Sequence, residues 1–220
     1  MTRIDPQADP PPEGETAGET VGTGSRASAA TDGGPRRTRR HDPGRKTHIL
    51  DATLDVIVEH GVAGTTHRHI AARAGVPLGS ITYHFTGLTD LLAQAFARHV
   101  ELQSAAFKDL FHDVGTQEQF VETLVGLVDT GPSRHRGAVL GFELHLAALR
   151  SPRLRALTRA WTQDSRAVLA RFTGPDRAAD LDALLEGMIM HALLTTVPES
   201  RETTRDTLVR MLGPTGRPGT

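Results

Sequence analysis

The chain has 220 residues, a net charge of −1 and no cysteine. This length suffices for one ordinary globular domain or a small domain fused to a larger one, and the lack of cysteine excludes disulfides and thiolate metal sites. The apolar stretches are too short to cross a bilayer, and the first residues lack the basic-then-apolar order of a signal peptide. We therefore expect a cytoplasmic protein with no membrane partner.

Charge and composition divide the N-terminal part into two segments. Residues 1–35 are rich in Pro, Gly, Glu, Thr and Ser, carry two basic and six acidic side chains, and are typical of a disordered tail. Residues 36–46 form a basic arm, and residues 36–86 hold eight basic against four acidic side chains. Such a concentration of positive charge indicates a nucleic-acid-binding surface, while a solvated, non-specific arm is the alternative.

The next segment predicts three helices. Asp42–Pro43 is a typical helix start, with Asp as cap and Pro at the first helical position, and Gly61 is a natural stop. Thr66 caps a short second helix that ends at Gly75, and a third is predicted from Pro77 to about His84.

The remainder predicts further amphipathic helices, because apolar residues recur every three to four positions and no stretch alternates with a period of two. We expect a fourth helix from about Thr86 to Phe111 and a flexible C-terminus at residues 213–220. The others are predicted at about 116–130, 136–150, 152–172, 176–195 and 199–212. The predicted fold class is all-α.

Residues 61–86 read GVAGTTHRHIAARAGVPLGSITYHFT, which predicts two short helices joined by a tight turn. Small apolar residues on both helices would let them cross closely, as in a helix-turn-helix. From about Thr47 to Ala95 the chain resembles the N-terminal domain of the TetR family. The residues that carry the resemblance are Gly61, Thr65, Thr66, Ile70, Ala71, Ala74, Gly75, Val76, Gly79, Tyr83, His84, Phe85, Leu91 and Leu92.

The resemblance implies a three-helix DNA-binding domain at residues 43–90, followed by a larger α-helical ligand-binding and dimerisation domain at residues 91–212. It also implies a function: a homodimer binds a palindromic double-stranded DNA operator as a repressor, and a small-molecule effector releases it. Such a regulator needs no cofactor and is not an enzyme. No nucleophile with an oxyanion hole is recognisable in the sequence either.

The same resemblance assigns DNA contacts. A phosphate is expected at Thr66, a base at Arg68, and backbone anchoring at Tyr83 and His84. The basic arm is expected to follow the minor groove or the phosphates. The full set of predicted DNA-binding residues is Arg39, Arg40, Arg45, Lys46, Thr66, Arg68, Pro77, Leu78, Ser80, Thr82, Tyr83 and His84.

Two positions depart from the family pattern. Thr82 stands where many relatives have Tyr, and Leu88 stands where many have Lys. The third helix also begins with residues that offer DNA only apolar contact. The missing lysine at position 88 and the apolar start of the third helix favour an alternative function, a small-molecule binding protein with a vestigial helix-turn-helix.

The C-terminal helices are expected to form a pocket for a lipophilic effector and a dimer interface, with a monomeric core as the alternative to the interface. Glu143 is a candidate charged group in the pocket. No metal site is expected, because His145 and His191 lack a matching third ligand and ordinary core histidines are favoured. The pocket candidates are Phe107, Phe111, Phe142, His145, Trp161 and His191. The interface candidates are Leu157, Trp161, Val168, Leu181, Leu184, Leu185 and Met188.

Overall fold

The computed structural model describes residues 44–129, 131–197 and 199–213. Within these residues the chain forms nine helices and no strand, so the prediction of an all-α fold is confirmed. The helices are α1 (Arg45–Gly64), α2 (His67–Ala74), α3 (Leu78–His84), α4 (Leu88–Leu110), α5 (Gln117–Val128), α6 (Pro132–Ala148), α7 (Pro152–Thr173), α8 (Pro175–Leu194) and α9 (Arg201–Leu212).

The helix boundaries coincide with capping residues and prolines in the sequence. Thr66, Thr116, Ser151 and Ser200 each accept a hydrogen bond from the amide three residues later, which satisfies one of the free donors at a helix start. The predicted sixth helix begins earlier than expected, at Pro132, since proline fits the first turn of a helix. Several predictions lie outside the described residues: the tail at 1–35, Arg39, Arg40, the Asp42–Pro43 helix start and residues 214–220.

Two clusters of buried apolar side chains hold the helices together. The first joins α1–α4 with α6 and the start of α7, and its fully buried members include Ile57, Ile70, Ile81 and Phe96. The second joins the end of α4 with α5, α7, α8 and α9. Because α6 packs against α1, α4, α7 and α8, it contacts both the N-terminal helices and the C-terminal ones.

Ion pairs also join α1 to the helices that follow the helix-turn-helix. The Arg98 guanidinium donates to Asp51 at 2.7 Å, and the Arg136 guanidinium donates to Asp55 at the same distance. Both pairs are partly solvent-exposed, so each contributes little to the free energy of unfolding. They add directional contacts between α1 and the helices α4 and α6, whose packing rests on the first apolar cluster. In the described part of the chain, no helix is long and apolar enough to span a bilayer.

Candidate functional site

The turn between α2 and α3 has the geometry that a helix-turn-helix requires. Gly75 ends α2 with φ +61°, a left-handed conformation that glycine adopts without strain. The amides of Gly75 and Val76 donate to the carbonyls of Ala72 and Ala71, which closes the C-terminus of α2. Extended Pro77 then redirects the chain into α3. The small residues predicted at the crossing are buried there, apart from half-buried Val76 (Ile70, Ala71, Ala74, Ile81).

Most of the predicted DNA contacts are solvent-exposed on this unit. Thr66 caps α2, with its hydroxyl accepting from the His69 amide at 3.2 Å, so the start of α2 is ordered and faces solvent. Tyr83 is 78% exposed. Ser80 and His84 are half-buried, while Thr66, Arg68, Pro77, Leu78 and Thr82 are exposed.

The start of α1 lies beside the end of α3. The Lys46 ammonium is 5.7 Å from the centre of the Phe85 ring, directly after α3. His48 is hydrogen-bonded through Nε2 to the carbonyl of Ala74 at 2.9 Å, next to the turn. From 60 through 89 the sequence contains no Asp or Glu. Helices α2 and α3 therefore carry only positive formal charge, the sign that phosphates require, and one of these cations, Arg73, is paired with Glu59 of α1.

The structure gives the two departures from the family pattern a physical meaning. Leu88, at the first position of α4, packs against the first apolar cluster, so it contributes to the core where a lysine would offer charge. The Thr82 hydroxyl donates to the carbonyl of Gly79 at 3.2 Å, within its own helix. Neither residue supplies a positive charge to this surface.

A cavity of about 840 Å³ lies among α4, α6, α7 and α8. Its volume falls in the range of small-molecule sites. Of the predicted pocket residues, Phe107, Phe142, His145 and Trp161 line it. The Trp161 and His145 rings are stacked, with centroids 5.8 Å apart and planes 19° apart, and they form a flat aromatic wall.

Three other pocket candidates lie elsewhere, which corrects the prediction. Phe111 is fully buried in the second apolar cluster, where it contacts the rings of Phe107, Phe120 and Phe172. His191 is exposed near the end of α8 and is not among the cavity-lining residues. Glu143 lies on the side of α6 that faces α1, and its carboxylate accepts a hydrogen bond from the Val62 amide.

The cavity also has polar walls that sequence reasoning did not identify. Asp182 and Glu186 line it from one turn of α8, and Arg134 and Arg136 line it from the start of α6. Their sequence positions carry no motif, since any exposed helix face has similar charges. Only the packing of α8 against α7 directs the two carboxylates to the cavity.

The two carboxylates are in a partly dry environment. Burial raises the pKa of Asp182, while the Arg166 guanidinium, donating to it at 2.9 Å, opposes this shift by stabilising the carboxylate. Burial raises the pKa of Glu186 as well, the charge of Asp182 adds to that shift, and His145 opposes it. Glu186 lies 3.8 Å from the His145 ring nitrogen. This end of the cavity therefore holds two carboxylates, of which Asp182 is already paired with Arg166.

Three of the seven predicted dimer contacts are buried inside the protomer. Val168, Leu181 and Leu185 are buried in the second apolar cluster of the protomer itself, so they are not available to a partner chain. This corrects the prediction for these three residues. An apolar stripe on a helix can pack inside the protomer or against a partner chain, and the sequence does not distinguish the two. Leu184 and Met188 pack only partly against that cluster, and Leu157 and Trp161 partly against the first.

The apolar surface that remains exposed lies on other residues. Leu146 and Leu149 are exposed at the end of α6, and Met190 and Leu194 are exposed at the end of α8.

The described residues contain no cluster of three or more His, Asp or Glu side chains that could hold a metal ion.

Comparison with known proteins identifies the family. Residues 49–95 match the family model described as bacterial regulatory proteins, tetR family, and residues 115–214 match a tetracyclin repressor-like C-terminal domain. A Streptomyces coelicolor A3(2) protein assigned as a transcriptional regulator is 40% identical, with a TM-score of 0.70, over 78% of this chain and 100% of that one.

Two further proteins are similar over most of their length. The multidrug binding protein EbrR, solved in complex with imidazole, is 36% identical over 80% of this chain and 98% of its own, with a TM-score of 0.64. The HTH-type transcriptional regulator PksA of Bacillus subtilis (strain 168) is 25% identical over 72% of this chain and 83% of its own. Together with the helix-turn-helix geometry, these matches show that the chain belongs to the TetR family of DNA-binding transcriptional regulators.

Proposed function

We propose that this regulator is a repressor that binds a palindromic operator as a homodimer and leaves it when a small molecule fills the cavity. The observation that carries the proposal is the cavity of about 840 Å³ in the same chain as the helix-turn-helix. A ligand releases DNA only if it prefers a conformation in which the two DNA-binding units are wrongly spaced. A 100-fold loss of operator affinity requires a preference of about 2.7 kcal/mol.

On the DNA side, Arg68 reads a base, since a guanidinium pairs with two acceptors of guanine. Thr66, Tyr83 and His84 hold phosphates and set the register of the protein on the duplex. The apolar start of α3 contacts thymine methyl groups, and sequence-dependent DNA shape adds to specificity. Basic residues at and before the start of α1 follow the backbone (Arg39, Arg40, Arg45, Lys46), and Ser80 and Thr82 complete the contact surface.

The homodimer forms through the exposed apolar ends of α6 and α8. Burying Leu146, Leu149, Met190 and Leu194 against a second copy removes apolar surface from water, which is the main driving force for association. Leu184 and Met188, which are half-covered within the protomer, extend this surface along α8. Catalysis has no place in this function: the chain acts through binding alone.

The ligand is a lipophilic organic cation with an aromatic ring system. Its ring stacks on the Trp161–His145 wall, and its charge faces Asp182 and Glu186. The relative EbrR has been solved with ethidium, proflavin and malachite green, which all combine aromatic rings with a positive charge.

A mobility-shift assay at low salt, with the DNA that flanks the protein's own gene, tests the DNA side. We expect a shift, and we expect Arg68→Ala to weaken binding by roughly 5- to 150-fold, the value of one base-reading arginine. Arg159→Ala, which removes an exposed arginine of α7, is the matched control and should bind as the parent does. No shift at low salt would favour the alternative, a small-molecule binding protein with a vestigial helix-turn-helix.

Equilibrium binding of malachite green tests the ligand side. We expect Trp161→Ala to weaken binding at least tenfold, because it removes the stacking wall. Tyr83 is an exposed aromatic residue that does not line the cavity, so Tyr83→Ala is the control and should leave dye affinity unchanged. Equal affinity in the Trp161 variant would place the dye elsewhere on the protein.

A further inference from the structure

Helix α1 is broken near its end, and the amide of Val62, directly after the break, has its partner outside the helix. Gly61 has φ +67° and ψ 170°, which interrupts the helix before its last turn. The amides that follow such a break have no carbonyl of the same helix to bond to. Thr65 closes part of the turn, with its hydroxyl donating to the Gly61 carbonyl at 2.8 Å. This short turn leads directly into the cap of α2, so its orientation sets where the helix-turn-helix points.

The first of these amides is bonded by a residue far away in the sequence. The Val62 amide donates to Oε2 of Glu143 at 2.9 Å. A Cβ at Gly61 would lie only 3.3 Å from the other carboxylate oxygen, so the missing side chain gives Glu143 its approach. A charged acceptor makes this hydrogen bond stronger than one to a neutral group.

Glu143 belongs to the helix that forms one wall of the cavity. Gly141, Phe142 and His145 of α6 line the cavity, whereas Glu143 contacts α1. Arg136 adds a second tie, because it lines the cavity and donates to Asp55 of α1 at 2.7 Å. One face of helix α6 therefore lines the cavity, and the opposite face contacts α1 of the DNA-binding unit.

On the cavity side, α6 is tightly packed against Trp161. A Cβ at Gly141 would lie 3.2 Å from the six-membered ring of Trp161, so backbone and indole are already in close contact. A ring that stacks on Trp161 therefore also meets the Gly141 backbone and displaces α6, since packed interiors shift as units when space is filled.

We propose that Glu143 is a positioning residue that ties α6 to the break in α1, and that a ligand filling the cavity breaks this tie and so frees the helix-turn-helix to turn. The inference rests on the proposed function in one respect, that the ligand occupies the cavity. Without ligand, the tie holds the two DNA-binding units at operator spacing. With ligand, the Val62 amide loses its acceptor.

The direct readout is hydrogen exchange of the Val62 amide in the full-length protein, followed by NMR. Loss of a hydrogen bond to a charged acceptor should accelerate exchange about tenfold or more. We expect this in Glu143→Ala and in Glu143→Asp, which keeps the charge but withdraws it by one methylene group. Glu143→Gln keeps an acceptor oxygen at the same reach and should retain protection. Glu202→Ala, at an exposed position on α9, is the control.

The functional readout is operator affinity with and without malachite green. We expect the Ala and Asp variants to bind DNA more weakly without dye and to respond less to dye. They should bind the dye more tightly than the parent, because the dye no longer has to break the bond, and the Gln variant should behave as the parent does. In the parent protein, saturating dye should accelerate exchange at Val62.

Three results would overturn the inference. They are unchanged protection of Val62 in both the Ala and Asp variants, a full dye response in those variants, and unchanged exchange in the parent while dye is bound. A parent protein that binds no DNA or no dye would instead refute the proposed function. In that case the exchange rates of the Asp and Gln variants still decide whether Glu143 holds the amide.

Discussion

Substituting Thr66 separates the two tasks assigned to it, capping α2 and contacting a DNA phosphate. The hydroxyl accepts from the His69 amide at 3.2 Å, and helix α2 is short, spanning only His67–Ala74. Thr66→Ala removes both functions. Thr66→Asp keeps the cap, because aspartate is among the best capping residues, but brings a negative charge to the place where a phosphate is expected.

The two substitutions should move stability in opposite directions. Losing the cap in Thr66→Ala costs about 1 kcal/mol of unfolding free energy. In Thr66→Asp the cap remains, and a negative charge at a helix N-terminus adds roughly 0.3–1 kcal/mol of stability. DNA binding should not follow this order. A carboxylate about 6 Å from a phosphate is repelled by about 3 kcal/mol at an effective dielectric constant near 20, which is more than a 100-fold loss of affinity.

Chemical denaturation gives the stability of each variant, and anisotropy titration with duplex DNA gives its affinity at several salt concentrations. We expect the Asp variant to be at least as stable as the parent and the weakest DNA binder of the set, with Thr66→Ser close to the parent in both assays. High salt should narrow the difference in affinity. An Asp variant that binds DNA as tightly as the parent would refute the assignment of a phosphate to this helix start.

Three further predictions follow from the backbone and from buried groups. Gly75→Ala should lower the unfolding free energy by about 1–2 kcal/mol, because φ is +61° there and an added Cβ meets only backbone strain; Gly75→Asn should cost less in the same denaturation assay. Burial lowers the pKa of His99 from 6.5 to about 4, so the unfolded chain binds the proton more readily and stability should fall between pH 6.5 and 4, by up to about 1.4 kcal/mol per pH unit. His99→Phe should make that slope shallower, and an unchanged slope would contradict the assignment. Ethidium affinity, measured without DNA, should weaken as the pH falls through the raised pKa of Glu186, and Glu186→Gln should lower the affinity and flatten its pH dependence.

Local signals in the sequence predicted most of the fold. Thr66 as a cap, Gly75 as a stop and Pro152 at a helix start each act within one turn, so they can be recognised without knowing the rest of the structure. The sequence predicts the start of α6 about one turn too late, because the residues after Pro132 have little amphipathic pattern. Residues that act within one helical turn were therefore sufficient to predict the number and order of the helices.

The parts that could not be predicted depend on contacts between distant residues. Helical periodicity predicts Leu181 and Leu185 as interface residues, because it identifies an apolar stripe. It does not show whether that stripe packs inside the protomer, as it does here, or against a second chain. Asp182 and Glu186 become cavity residues only through the packing of α8. The bond between Glu143 and the Val62 amide spans 81 positions, and no spacing rule predicts it.

Hydroxyl-radical footprinting of the protein on the DNA that flanks its own gene tests the central claim most directly. If two helix-turn-helix units of a homodimer occupy successive major grooves, protection should appear as two symmetric segments. Their centres should lie about one turn of DNA apart, roughly 10 base pairs, or slightly more. In the same experiment Arg68→Ala should weaken protection of both segments equally. A single protected segment, or uniform protection that disappears with modest salt, would contradict the account.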